Sequence, residues 1–313
     1  MTAKLADNDV IDFLRDLSNW GRWGEDDRLG TLNLITEDVR VQAAGLVRDG
    51  TAVSLAFDID PENPDVLGRG SVVQRFMQLN EVEAIYGQPA RFDAVREYVG
   101  LIGHGSLTHL DALAHFSWDG KNYNGFPASA VRSAAGSTQL SIHQVDKGFF
   151  TRGVLLDVAG TLGVPWLDPG RAITPEEIAA TQKREGVTVR PGDALFVRTG
   201  NFARIAAEGA HPEGHLAGLS AANLPFLRER DVALLSSDGA QDVFPGESSN
   251  LDLAMPIHTV GIVALGLWLI DNAALDELAR TCEQKNRWEF LVCVQPWRFV
   301  GVTSSVVNPV AIF

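Results

Sequence analysis

His104-Gly105-Ser106-Leu107-Thr108-His109-Leu110-Asp111-Ala112-Leu113-Ala114-His115 carries three of the chain's seven histidines, together with a carboxylate. Neutral imidazole with carboxylate is the donor set that borderline and hard divalent metals accept, so the stretch is a candidate metal site. Side chains two apart on a strand share a face, as do those four apart on a helix. His109 and Asp111 therefore project together from an extended segment, and His115 stays with Asp111 if a helix starts just after it. His104 stands five positions before His109, an odd step that turns it away unless Gly105-Ser106 forms a bulge. Any one of these histidines alone reads more simply as a hydrogen-bonded core or surface residue; the cluster reads as metal ligands.

Length and composition bound the rest. At 313 residues the chain makes one large or two ordinary domains, and 45% apolar with 21% charged residues is the balance of a globular protein. The formal net charge of −14 argues against nucleic acid or an anionic membrane surface as partner, since both demand a basic patch. Cys282 and Cys293 are too few for a disulfide framework or a structural zinc site, and both read as buried and inert. The opening residues lack the apolar run of a signal peptide, and no uncharged apolar stretch is long enough to span a bilayer, so the expected location is cytoplasmic.

Apolar, β-branched runs at 53–59, 72–79, 98–102, 153–158, 194–199, 232–236 and 290–295 predict strands. Thr174-Pro175-Glu176-Glu177 is a capping box with Pro at the first helical position, and Gly186 stops that helix. Ser220 is placed to cap a helix through Arg228, and Asn272 or Asp276 one through Glu283. The long apolar segment Val260 to Ile270 reads as a buried strand or the core side of one α/β unit. Loops at Pro61 to Asp65 and Gly120 to Pro127 are placed to border a site. The expected organisation is an N-terminal arm, residues 1–30, and one α/β domain, residues 31–313.

These residues carry a resemblance. The chain resembles the cyclase family of metal-dependent hydrolases, which includes bacterial kynurenine formamidases and isatin hydrolases. Of the family's His-x-Gly-Thr-His-x-Asp-x-x-x-His string, Thr108-His109-Leu110-Asp111 through His115 matches the second half. Further matches are Arg22-Trp23-Gly24, Gly30-Thr31-Leu32-Asn33, Trp118 to Gly125, Thr151 to Asp157, Gly192-Asp193-Ala194-Leu195 and Asn308-Pro309. The resemblance implies a single α/β domain around a mixed, barrel-like β-sheet with flanking helices, assembled as a homodimer or homotetramer. It also implies zinc or manganese in a mono- or dinuclear site, with a late His and an acidic residue at the second metal or in the catalytic shell. The matching positions are His258 and Asp271, the latter one methylene shorter than the family's more frequent Glu. Counting back four from His109 gives Gly105 rather than His, which leaves His104 displaced by one.

The resulting expectation is a hydrolase of an amide, lactam or lactone in a small, cyclic or aromatic substrate. A metal held by His109 and Asp111, with His104, His115, His258 and Asp271 as further candidate ligands, would activate a water and polarise a carbonyl. His115 and His258 are the candidate proton carriers, and Trp118, Tyr123 and Phe126 the candidate substrate-lining residues. The competing readings are a metal-dependent lyase or cyclase acting on an enolisable substrate, and a non-catalytic metal-binding member of the same fold. Asp238 follows a predicted strand and is placed either near the site or in a turn; His143, His211 and His215 read as surface residues.

Overall fold

Buried apolar runs dominate the architecture. In the computed structural model, which describes residues 5–60, 72–78, 82–92 and 94–313, they become the strands of one mixed sheet. In chain order these are β1 (Ala52–Ser54), β2 (His109–Asp111), β3 (Phe149–Asp157), β4 (Ala194–Arg198), β5 (Leu234–Ser237), β6 (Trp268–Asp271), β7 (Glu289–Val294), β8 (Ser304–Val306) and β9 (Val310–Ile312). Their spatial order is β1-β9-β7-β3-β4-β5-β6-β2-β8. The central four, β3 to β6, are parallel, and every pairing outside them is antiparallel. The sheet curls into a half-barrel that stays open between β1 and β8.

Parallel strands covered on both faces need apolar side chains on both, which is why Val154-Leu155-Leu156 and Ala194-Leu195-Phe196-Val197 run without alternation. The helix Pro175–Glu185 starts as expected: Thr174 Oγ1 accepts from Glu177 N, the Glu177 carboxylate accepts from Thr174 N, and Gly186 ends it in the left-handed region. Ser220 caps a short 3₁₀ turn, Ala221–Asn223, that leads into the helix Leu224–Glu229. The helix Asp276–Lys285 has no side-chain cap; Asp276 instead accepts from Arg198. The strand expected at 98–102 is Arg96–Leu101, paired with Val72–Gln78 in a separate two-stranded ribbon. The loop expected at Pro61 to Asp65 lies outside the described residues, as does Leu79 of the second apolar run.

Val260 to Ile270 is not a single strand. Thr259–Leu265 forms a π-helix, Gly266 reverses the chain at φ +68°, and β6 follows. A helix end leaves carbonyls without intrahelical partners. The N-terminal residues supply donors: Asn19 N to Ala264 O (2.9 Å), Asn19 Nδ2 to Leu265 O (2.9 Å), Trp20 Nε1 to Val263 O (2.7 Å) and Thr31 N to Gly266 O (2.9 Å). The approach is so close that a Cβ on Gly30 would stand 2.1 Å from Gly266 O. Arg22 completes the attachment with a forked pair to Asp231.

Glu185, at the end of its helix, buries its side chain beside Asp157, whose N–H it accepts at 2.9 Å, while its other oxygen has no partner. Burial, reinforced by the Asp157 charge against the H-bond and Arg184, pushes this carboxyl up to about 8. A raised carboxyl favours the fold below the ordinary value of 4.5, and that advantage is lost as pH rises towards 8. Melting temperature should therefore fall across this window, by an amount equivalent to a few kcal/mol. Glu185→Gln, which cannot ionise, should flatten the slope; an unchanged pH–stability curve would refute this.

Candidate metal centre

Strand register assembles the site. β2 lies between β6 and β8, with His109 opposite Asp271 and Val306, and Asp111 opposite Leu269 and Ser304. Cross-strand partners and residues two apart share a face, so His109, Asp111 and Asp271 project together. Beyond Asp111 the chain makes a turn rather than a helix: His115 N donates to Ala112 O (2.9 Å) and Ala114 N to Leu140 O (3.1 Å). That turn still returns His115 Nε2 to within 3.8 Å of Asp111 Oδ2. A non-helical turn wins because the 112–114 backbone bonds outward, with Ala112 N reaching Thr303 O at 2.9 Å.

His104 also arrives. Gly105 takes φ +107°, outside the reach of most side chains, and the bent segment through Leu107 puts His104 Nδ1 3.0 Å from Asp111 Oδ1. Asn272 Nδ2 holds this bend by donating to Gly105 O at 2.6 Å. Gly105→Val should cost about 1–3 kcal/mol of stability and weaken metal binding by moving His104 away. Zinc affinity and melting temperature equal to the parent's would show that the bend is dispensable.

Asp111 is the hub. Its carboxylate is fully buried, and neither oxygen has an aligned hydrogen-bond donor. A buried carboxylate left without donors is costly, and it is what a cation would satisfy. Around Oδ1 stand His104 Nδ1 and, at 3.5 Å, His109 Nε2. Around Oδ2 stands His258 Nε2 at 3.6 Å, itself 3.6 Å from Asp271 Oδ2. Donor atoms bound to one ion at ~2.0–2.2 Å stand roughly 3–4 Å apart, so His104, His109 and Asp111 form one candidate ligand group and Asp111, His258 and Asp271 a second. The shorter Asp271 side chain therefore reaches the second group.

The outer hydrogen bonds fit this arrangement. His109 Nδ1 donates to Leu107 O (2.7 Å) and His258 Nδ1 to Asp242 Oδ2 (2.6 Å), which turns both Nε2 atoms towards the centre. His104 Nε2 pairs with Thr303 Oγ1 at 3.1 Å. Burial opposes charge on Asp111, yet His109, His104, His258 and His115 hold its carboxyl well below the ordinary range. Burial also opposes charge on His258, but Asp271, Asp111 and Asp242 hold its imidazole well above the usual value. His115 goes the other way: burial, aided by His104 and His258 against Asp111, pushes it down to about 4.

The aromatic neighbour of the histidines is Phe116, its ring 5.1 Å from His258 and 4.9 Å from His115. Of the expected lining residues, Tyr123 is fully buried with its hydroxyl donating to Asp27 (2.9 Å), so it has no surface to offer a substrate. Phe126 lies beneath the Arg28 guanidinium at 5.5 Å, and Trp118 is half-buried in a backbone bridge to Lys121. Asp238 is spent on the loop before the helix Asn201–Glu208, accepting from Thr199 N and Oγ1, Gly200 N and Asn201 N. His143, His211 and His215 are half-buried and outside both groups; His211 and His215 stack on each other. Cys282 is buried and Cys293 half-buried, both unpaired, and burial raises both thiols. Sequence reasoning passed over Asp242, Gln241 and Phe116, for which only adjacency to His115 marked the last.

This chain belongs to the cyclase family: the family profile, described as "Putative cyclase", matches residues 50–241. A crystal structure described as that of a novel cyclase superposes with a TM-score of 0.85 at 29% identity, covering 96% of this chain and 99% of that one. Isatin hydrolase A from Labrenzia aggregata, bound to benzyl benzoate, gives a TM-score of 0.58 at 17% identity, over 86% of this chain and 94% of that one. Isatin hydrolase A from Ralstonia solanacearum gives 0.59 at 18% identity, over 86% and 93%. The last two share the fold. No curated protein matches this chain in sequence. Among the described residues no helix is long and apolar enough to cross a membrane.

Proposed function

We propose that the protein is a metal-dependent hydrolase that opens an amide, lactam or lactone bond in a small cyclic or aromatic molecule. The observation that carries this reading is Asp111, whose two buried, unpartnered oxygens each face a group of ligand-type side chains. A divalent ion, zinc or manganese, would supply Lewis acidity towards a carbonyl oxygen and make water nucleophilic near neutral pH. His104, His109, Asp111, His258 and Asp271 are the residues that would hold it.

His115 carries the proton in this reading. Burial keeps its imidazole neutral, its side chain is partly exposed, and stacking on His104 at 3.9 Å between ring centroids fixes its plane. As the water oxygen bonds to the carbonyl carbon and the C–N or C–O bond breaks, His115 takes the water's proton and delivers it to the departing nitrogen or oxygen. The Phe116 ring stands 5.1 Å from that of His258 and gives that side of the centre an apolar neighbour. The two departures that would favour a non-catalytic member, the displaced His104 and the shorter Asp271, both lie within the cluster. The test is release of a carboxylic acid from N-formyl, lactam and lactone substrates, lost on chelation and restored by zinc or manganese. Full turnover by metal-free protein, or no acid released from any substrate class, would reject the proposal.

A further inference from the structure

Two adjacent residues, Gln241 and Asp242, hold both non-shared ligands of one group and neither ligand of the other. Asp242 accepts from His258 Nδ1 (2.6 Å), His258 N (3.1 Å) and Ile257 N (2.7 Å). Gln241 Nε2 donates to Asp271 Oδ1 and to Ile270 O (3.0 Å). Both neighbours of that nitrogen are acceptors, which fixes the orientation of the amide. Gln241 Oε1 is buried without a hydrogen-bond partner among the described residues, so only the donor end of the amide is engaged. Both residues are at most 1% exposed.

The dipeptide is itself rigidly placed. Leu219 N donates to Gln241 O (2.8 Å), and Leu216 and Phe244 exchange backbone hydrogen bonds at 2.9 Å in both directions. A Cβ on Gly218 would stand 2.4 Å from the Asp242 carbonyl, so the two backbones are in direct contact. The other group is held by different parts: Leu107 O orients His109 and Thr303 Oγ1 contacts His104.

We infer that Gln241 and Asp242 are positioning residues that set the metal affinity of the Asp111/His258/Asp271 group independently of the His104/His109/Asp111 group. The inference rests on the metal-dependent reading above. Asp242 fixes the ring orientation of His258 that turns Nε2 to the centre; Gln241 fixes the rotamer that turns Asp271 Oδ2 to the centre. Outer partners of this kind govern roughly 10–100-fold of metal affinity.

The test is calorimetric titration of chelator-treated protein with zinc chloride. The parent should show two classes of site. Asp242→Asn should weaken one class roughly 10–100-fold and leave the other unchanged. Gln241→Leu, which keeps the size of the side chain and none of the backbone contacts of Asp242 are touched, should do the same and serves if Asp242→Asn does not fold. Titration with manganese adds a spectroscopic reading: the paramagnetic resonance of a spin-coupled pair in the parent should give way to that of an isolated ion in either variant. A merely structural role would weaken both classes together. That result, or variants that bind zinc as the parent does, overturns the inference and leaves the hydrolase reading in place. A parent that takes up a single zinc also overturns the inference alone, whereas a parent that binds no zinc removes the hydrolase reading itself.

Discussion

Asp111→Asn should empty both ligand groups and lower turnover by about 10³-fold or more, because one carboxylate serves both. Asp111 Oδ1 faces His104 and His109, and Oδ2 faces His258 with Asp271 beyond it. The amide keeps the shape but presents one neutral oxygen and one nitrogen that cannot ligate. A Lewis acid stabilises transition-state charge by several kcal/mol, and each 1.36 kcal/mol is tenfold in rate, which sets the scale. Metal analysis of the purified variant should find little or no zinc or manganese, while far-ultraviolet circular dichroism stays that of the parent. Parental metal content in Asp111→Asn would show that the ion, if any, sits elsewhere.

Turnover by His115→Ala should fall by roughly 10²-fold or more, the scale of a lost general acid–base group, with KM changing far less. His115 stands apart from the two groups: its nearest approach to the hub is 3.8 Å, longer than those of His104, His109 and His258. Metal content of this variant should therefore match the parent's, which separates a proton carrier from a ligand. Near-parental turnover would remove His115 from the mechanism, and loss of metal would reassign it as a ligand.

Much of the sheet was legible because parallel strands buried on both faces must be apolar throughout, and the runs ending near Asp157 and Arg198 say so. The helix Pro175–Glu185 was legible to the residue, since its cap, its first-turn proline and its terminal glycine are all local signals. Val260 to Ile270 stayed open between a buried strand and the core side of an α/β unit because an apolar run does not distinguish them, and the partners that settle it are Asn19, Trp20 and Thr31. Whether a helix starts after Asp111 was open for a similar reason: the 112–114 backbone finds its partners in Thr303 and Leu140, far along the chain.

The sequence by itself named the candidate ligands of the centre. His109 and Asp111 share a face on any extended backbone, and their residue types are among those a divalent cation accepts. The resemblance to the cyclase family supplied His258 and Asp271 as candidates, without saying whether a displaced His104 or a shortened acidic side chain could reach. Only the tertiary structure decided those points. Gly105 supplies a positive φ that the strand period does not contain, and Asn272, the residue next to Asp271, holds that bend by its side chain. The antiparallel register of β2 with β6 sets Asp271 opposite His109, which brings the shorter side chain into the group with Asp111 and His258. Gln241 and Asp242 carry no sequence signal at all, because a side chain that orients a ligand is defined by its hydrogen-bond partner, and hydrogen-bond partners are chosen by the fold.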